Sequence, residues 1–281
     1  MAPVDTRLMK GRRDKETDRN KKHNKTRSKK TIFIGLAVSV IAILGLTIIF
    51  LPSGILHNTS TGLSRNAIGN SNNNGNGVDQ MGRAFLIKQI SNPAYASAPA
   101  LGSNKAKITI VEFGDYRCHF CARFYRYTSG SIIQNFVDTG KVRFLFKDFI
   151  VNDKPGDTTS MLAAVASYCA ADQGKYWQYH NEVYNNSKGE DVAWVTPGVL
   201  KQFANDVKIT DINKFSTCLD SHTHTNVVQQ NNNLAGNIGL QATPSFILLS
   251  TSKSQPGPYL IEGAQPYAVF QQAIEKLESS V

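Results

Sequence analysis

The sequence predicts an α/β domain that carries an inserted helical subdomain and is preceded by a single transmembrane helix. Three observations predict it. A charge-free apolar run occupies residues 31–51, a strand-helix-strand pattern begins at Ile108, and a strand-strand-helix pattern closes the chain after a long stretch of helical periodicity. A sheet built from such segments needs helices to cover its faces, and the intervening patterns supply them.

Residues 1–30 are crowded with Lys and Arg, from Arg7 to Lys29 and Lys30, and offer few large apolar side chains beyond Leu8 and Met9. Such a tail cannot bury enough surface to fold. At about 1.5 Å per residue, the run that follows is long enough to cross a hydrocarbon core of about 30 Å. A cleaved signal peptide is the alternative, but its apolar region is shorter and ends at a small-x-small site. Leu51-Pro52-Ser53-Gly54 is a poor site, and no cysteine follows closely to take a lipid, so the expectation is an uncleaved signal-anchor. Basic residues ahead of the span place the N-terminus in the cytoplasm and the remainder outside the cell membrane. The tail holds most of the chain's formal net charge of +10. With no aromatics interleaved, that charge suits anionic lipid headgroups and argues against nucleic acid as a partner.

Residues 52–90 are rich in Asn, Ser and Gly, as in Gly69-Asn70-Ser71-Asn72-Asn73-Asn74-Gly75, and read as a flexible tether. Asn58-Thr59-Ser60 and Asn185-Asn186-Ser187 match the glycosylation acceptor pattern, which also arises by chance in Asn-rich sequence.

The folded domain is expected over 91–281. Ile108-Thr109-Ile110-Val111-Glu112-Phe113 reads as a buried strand, and Phe124, Ile132, Ile133, Phe136 and Val137 then recur on a helical stripe. Val142-Arg143-Phe144-Leu145-Phe146 is a second strand, bounded by Gly140 and the turn-rich 152–156. The helical insertion spans about 155–240, with Met161, Leu162, Val165, Ala166 and Cys169 on one face and Ile212, Phe215 and Leu219 on another. Phe246-Ile247-Leu248-Leu249 and Tyr259-Leu260-Ile261 flank Gln255-Pro256-Gly257-Pro258 as an antiparallel pair. A last helix has Pro266 at its start and Phe270, Ala273, Ile274 and Leu277 on its apolar face.

Chemistry concentrates at Cys118-His119-Phe120-Cys121, where the first strand meets its helix. At a helix N-terminus the unpaired N–H groups and the macrodipole favour a thiolate, lowering a pKa that starts near about 8.5. Cys118 is therefore the expected nucleophile. Cys121, one turn deeper, can attack a mixed disulfide intramolecularly, and proximity makes that step fast. No cofactor is needed. A zinc site would require two further ligands at short spacing, and no second C-x-x-C exists, so no metal is expected. Cys169 and Cys218 are candidates for a structural disulfide; two buried free thiols packing as small apolar groups are the alternative.

The C-x-x-C together with Glu112-Phe113-Gly114-Asp115-Tyr116 before it and Ala242-Thr243-Pro244-Ser245-Phe246 downstream resembles the DsbA-like branch of the thioredoxin superfamily, over roughly residues 95–280. The resemblance implies a thioredoxin-like fold with a helical subdomain, and a cis Thr243–Pro244 bond lying against the redox pair. A backbone group of Thr243 would then bind an extended substrate segment. It further implies that Glu112 is a buried acid assisting proton transfer at Cys121; the other reading turns Glu112 to solvent at a strand edge. His119 either supports the Cys118 thiolate or is an exposed spacer. Phe120 is expected to face a groove for unfolded chains, with Tyr116, Phe124 and Tyr125 around the motif as docking surface or core.

The implied activity is thiol:disulfide exchange on secreted or surface proteins, in the oxidising direction, with a quinone-linked membrane oxidase as electron partner. The family's oxidases commonly carry Pro then His between the cysteines, where this chain has His119 then Phe120, so a reductase or isomerase stays open. A redox-inert peptide-binding module is the third reading.

Overall fold

In the computed structural model the described residues are Ile90, 99–250 and 258–279. The expected basic tail, the span at 31–51, Asn58 and all of the expected tether except Ile90 lie outside them. Among the described residues no helix is long and apolar enough to cross a membrane.

The chain begins its sheet with β1 (Ile108–Gly114), buried at every residue because it lies at the centre, flanked on both sides. β-Branched and aromatic residues suit a strand covered on both faces. Next comes α1 (His119–Phe124), prolonged by a π-type turn at Tyr125–Ser129, one α turn at Gly130–Ile132 and a second π-type turn at Ile133–Val137. β2 (Val142–Asp148) returns parallel to β1, as a strand-helix-strand crossover requires. Five helices follow: α2 (Thr159–Ala171), α3 (Tyr176–Asn186), α4 (Pro197–Asp206), α5 (Ile212–Asp220) and α6 (Thr225–Asn237). The chain then re-enters the sheet as β3 (Ser245–Ser250) and β4 (Tyr259–Glu262) and ends in α7 (Tyr267–Glu278). Strand order is β2-β1-β3-β4, with β3 antiparallel to both neighbours. This is the thioredoxin-like sheet with a helical insertion between β2 and β3.

Register assigns the two faces. Glu112 stands beside Phe146 and Phe246 on the face covered by α1 and α7, where Phe124, Phe246 and Phe270 pack with ring centroids 4.4–5.4 Å apart. On the opposite face Val111, Phe113, Leu145, Ile247 and Leu249 pack against Leu234 and Ala235 of α6. Ile90 is fully buried in that second cluster. The folded unit therefore extends upstream of 91, and the tether as drawn from composition runs one buried residue too far.

Two other expectations are corrected. The apolar stripe on α2 is not confined to one face: Ala163, Ala164, Tyr168 and Ala170 are buried as well as Val165, Ala166 and Cys169, while Met161 and Leu162 are only half-buried. Small alanines let neighbouring helices close in from several sides, so α2 is the hub of the insertion. Ile133 is half-buried because the π-type turns shift the helical register behind it.

Cys169 of α2 and Cys218 of α5 form a disulfide with a Cα–Cα distance of 5.8 Å. A second tie is polar and buried. Tyr168 donates to Asp148 Oδ2 at 2.6 Å, and Asn231 of α6 donates to the same oxygen at 3.1 Å, fixing α2 and α6 to the end of β2.

Candidate active site

The end of β1 is turned into α1 by Asp115. Its backbone oxygen accepts from Cys118 N at 3.0 Å, and its side chain accepts from Arg117 N at 2.8 Å and from the N–H groups of Val151 and Asn152, each at 3.0 Å. One buried carboxylate thus shapes both the β1–α1 loop and the loop after β2. Gly114, at the end of β1, leaves room for the Phe146 ring, since a Cβ there would meet Phe146 Cε2 at 2.7 Å.

Cys118 follows as the N-cap of α1, with extended backbone (φ −65°, ψ 123°) and its carbonyl accepting the first helical hydrogen bond from Ala122 N at 3.1 Å. Cys118 and Cys121 are both free thiols. The pKa of Cys118 is lowered to about 7, first by a hydrogen bond from the Cys121 thiol and then by Thr243 and the N–H groups of Cys121 and Phe120, against the opposing effect of burial. Burial acts the other way on Cys121 and raises it well above its usual value, helped by the hydrogen bond it gives to Cys118. One sulfur is prepared as thiolate and the other holds the proton. The helix N-terminus contributes as position predicts, but the neighbouring thiol contributes more.

Pro244 approaches from the loop before β3. The Thr243–Pro244 bond is cis, and Cys118 Sγ lies 3.5 Å from the carbonyl oxygen of Thr243. Glu112 lies under the pair and is buried, with Oε1 lacking a hydrogen-bond partner among the described residues. Its pKa is raised well above the carboxylate range, first by burial and then by negative charge at Cys118. The strand-edge alternative does not hold, because β1 is central.

His119 is exposed, and its ring meets Phe120 edge-on at 5.7 Å rather than bonding the Cys118 sulfur. Phe120 is 47% exposed beside the pair, with the Arg123 guanidinium 4.8 Å from its ring centroid and donating to Ala264 O at 3.2 Å. Phe120 thus presents exposed apolar surface next to the redox pair. Tyr116, Phe124 and Tyr125 are core. Tyr116 bonds His180 Nδ1 at 3.0 Å within a cage that includes Phe146 and Tyr184, and burial lowers His180 to about 3, so the imidazole is neutral.

Three participants escaped the sequence reading: Asp115 as loop organiser, the buried Arg117, and Glu190. Arg117 bridges Asp157 Oδ2 at 2.8 Å, Thr159 Oγ1 at 2.7 Å and the Glu190 backbone oxygen at 2.9 Å, and Glu190 Oε2 accepts from His119 N at 2.7 Å. An arginine beside a redox motif is a weak signal, and Glu190 gives none at all, since it lies in a different subdomain. Among the described residues the sole metal-like grouping is Cys169, Cys218 and His224, remote from this site in sequence, and its two sulfurs are already bonded to each other.

A thioredoxin fold with a C-x-x-C at the head of its first helix and a cis-proline facing the first sulfur defines a protein disulfide oxidoreductase. The family model described as Thioredoxin matches residues 96–276, and the chain belongs to that family, in its DsbA-like branch. Disulfide bond formation protein D of Bacillus subtilis is 31% identical over 156 residues, covering 55% of this chain and 68% of the relative. The crystal structure of oxidised BdbD from Bacillus subtilis matches with a TM-score of 0.57 and 28% identity, over 65% of this chain and 94% of that one. Wolbachia pipientis α-DsbA1 shares the fold, with a TM-score of 0.55 at 24% identity, over 64% of this chain and 90% of that chain.

Proposed function

We propose that this oxidoreductase works outside the cytoplasm, anchored by residues 31–51, and oxidises cysteine pairs of secreted or surface proteins. The observation that carries thiol exchange is the division of labour between the sulfurs, with Cys118 lowered to about 7 and Cys121 raised, and the direction is taken from the disulfide bond formation relative. A substrate thiolate attacks Cys118 Sγ of the Cys118–Cys121 disulfide, and the S–S bond breaks with its electron pair on Cys121, which takes up a proton. A second substrate thiolate attacks the substrate sulfur of the mixed disulfide and expels Cys118 as thiolate. The substrate loses two electrons, and the enzyme gains them as a dithiol. Glu112, buried under the pair, is placed to exchange the Cys121 proton. The extended substrate lies along Thr243 and against Phe120, and a membrane quinone-linked oxidase restores the disulfide.

A reductase or isomerase is the second reading, and one observation favours it. A thiolate at about 7 is closer to thioredoxin, about 7, than to strongly oxidising DsbA, about 3.5. The name of the Bacillus subtilis relative, a disulfide bond formation protein, supports oxidation. The two readings part in a refolding assay. The oxidised protein added to a reduced, unfolded disulfide-containing substrate is expected to restore its activity stoichiometrically; net reduction of native substrate disulfides by the dithiol form, without that restoration, rejects the oxidase.

A further inference from the structure

The loop after α3 carries Glu190 over the head of α1. Its carboxylate oxygen accepts the N–H of His119, the residue next to the nucleophile, at 2.7 Å. The loop is held there from several directions. Arg126 donates to Ser187 O at 2.7 Å, Trp194 Nε1 donates to Gly189 O at 2.9 Å, and the buried Arg117 donates to Glu190 O at 2.9 Å. Gly189 has φ +82°, and its position faces the His119 side chain at 3.7 Å from where a Cβ would stand. A glycine there supplies the left-handed backbone that turns the next carboxylate inward.

Of the N–H groups at the head of α1, those of Phe120 and Cys121 serve the Cys118 sulfur, while that of His119 is taken by Glu190. A fixed negative charge at this point opposes a second negative charge on the adjacent sulfur. We propose that Glu190 is a positioning residue that limits the oxidising power of the Cys118–Cys121 pair, through a carboxylate supplied by the helical insertion. The inference rests on the thiol exchange reading above and adds a determinant of its potential. Reduction of the disulfide by a substrate dithiol takes up two electrons and one proton, leaving Cys118 as thiolate and Cys121 as thiol. Whatever destabilises the thiolate makes that product less favourable and the disulfide a weaker oxidant.

The other ionisable groups around Cys118 are few. Glu112 faces it from β1, Cys121 and the exposed His119 come from α1, and Asp115 and Arg117 come from the preceding loop, with Arg117 turned to Asp157. Thr243 and Pro244 bring no charge. Glu190 is therefore the half-buried carboxylate that can be neutralised without disturbing the pair itself.

Glu190→Gln keeps an oxygen to accept from His119 N and removes the charge; Glu190→Asp keeps the charge. In the full-length protein, the pH dependence of Cys118 alkylation and the equilibrium with glutathione are measured for wild type and both variants. The Gln variant is expected to move the alkylation midpoint down by about half to one pH unit, roughly three- to tenfold more thiolate on the acid side, and to shift the glutathione equilibrium roughly two- to fivefold toward the dithiol form. Glu190→Asp is expected to stay near wild type. Equal midpoints and equilibria in wild type and Glu190→Gln overturn the proposal, as does an equal displacement in both variants, which marks a merely structural contact. The wild-type potential reports separately on the direction of exchange, so a reducing value would reject the oxidase while leaving the Glu190 shift to be judged by itself.

Discussion

At Cys118 and Cys121 three residues of spacing convert two identical thiols into a nucleophile and a proton store. The first predicted consequence is an asymmetry of trapping. Cys121→Ser is expected to accumulate a mixed disulfide with a thiol substrate, and Cys118→Ser none, read on non-reducing gels. Glu112 carries a second prediction, with its sign set by linkage. Its folded pKa is raised by burial, so its contribution to stability is fully present below the unfolded value and is lost as pH rises toward the folded one. Glu112→Gln is therefore expected to unfold at higher denaturant than wild type at neutral pH, because the amide has no charge that burial penalises. The same variant slows exchange at Cys121, so stability rises while turnover falls. A loss of stability at neutral pH would mean that Glu112 is held by partners the site does not show. These residues were legible because each breaks a local rule: two thiols at a strand end, an acid in an apolar strand, an X–Pro pair before a strand. Asp115, Arg117 and Glu190 break none. Their roles lie in hydrogen bonds between loops, and His119 and Glu190 meet across a sequence separation of 71.

Among the elements, apolar runs identified the strands and helical recurrence the closing helix, since β1, β2 and β3 are buried along nearly all of their length and α7 buries Phe270, Ile274 and Leu277. Periodicity misread α2, where alanines that look weakly amphipathic are buried on most sides by neighbouring helices that no local pattern announces. The Cys169–Cys218 bridge lies across this helix and α5, closing a sequence separation of 49. Replacing both cysteines with alanine is expected to cost about 2–4 kcal/mol in chemical unfolding, mainly by releasing the unfolded chain. Exchange at Cys118 should persist in that variant because the redox pair belongs to another element; loss of exchange with a folded domain would show that the bridge takes part in the chemistry.

For the molecule as a whole, the composition changes at about 30, 51 and 90 propose a cytoplasmic tail, an anchor, a tether and an external redox domain. Topology has its own test: after mild reduction, a membrane-impermeant thiol reagent should label Cys118 in intact cells, and labelling confined to lysed cells reverses the orientation. Ile90 refines where the domain starts. A chain beginning at 91 lacks a buried side chain of the α6 cluster, and is expected to be about 2–4 kcal/mol less stable than one that begins far enough upstream to retain it. Both should keep exchange activity, because the redox pair lies on the other face of the sheet. The measurement that tests the central claim most directly is the reduction potential of the Cys118–Cys121 pair, by equilibration with glutathione. An oxidase of protein thiols is expected to fall between the values of protein disulfide isomerase, about −180 mV, and DsbA, about −120 mV; a value at or below that of thioredoxin, about −270 mV, would contradict oxidation as its work.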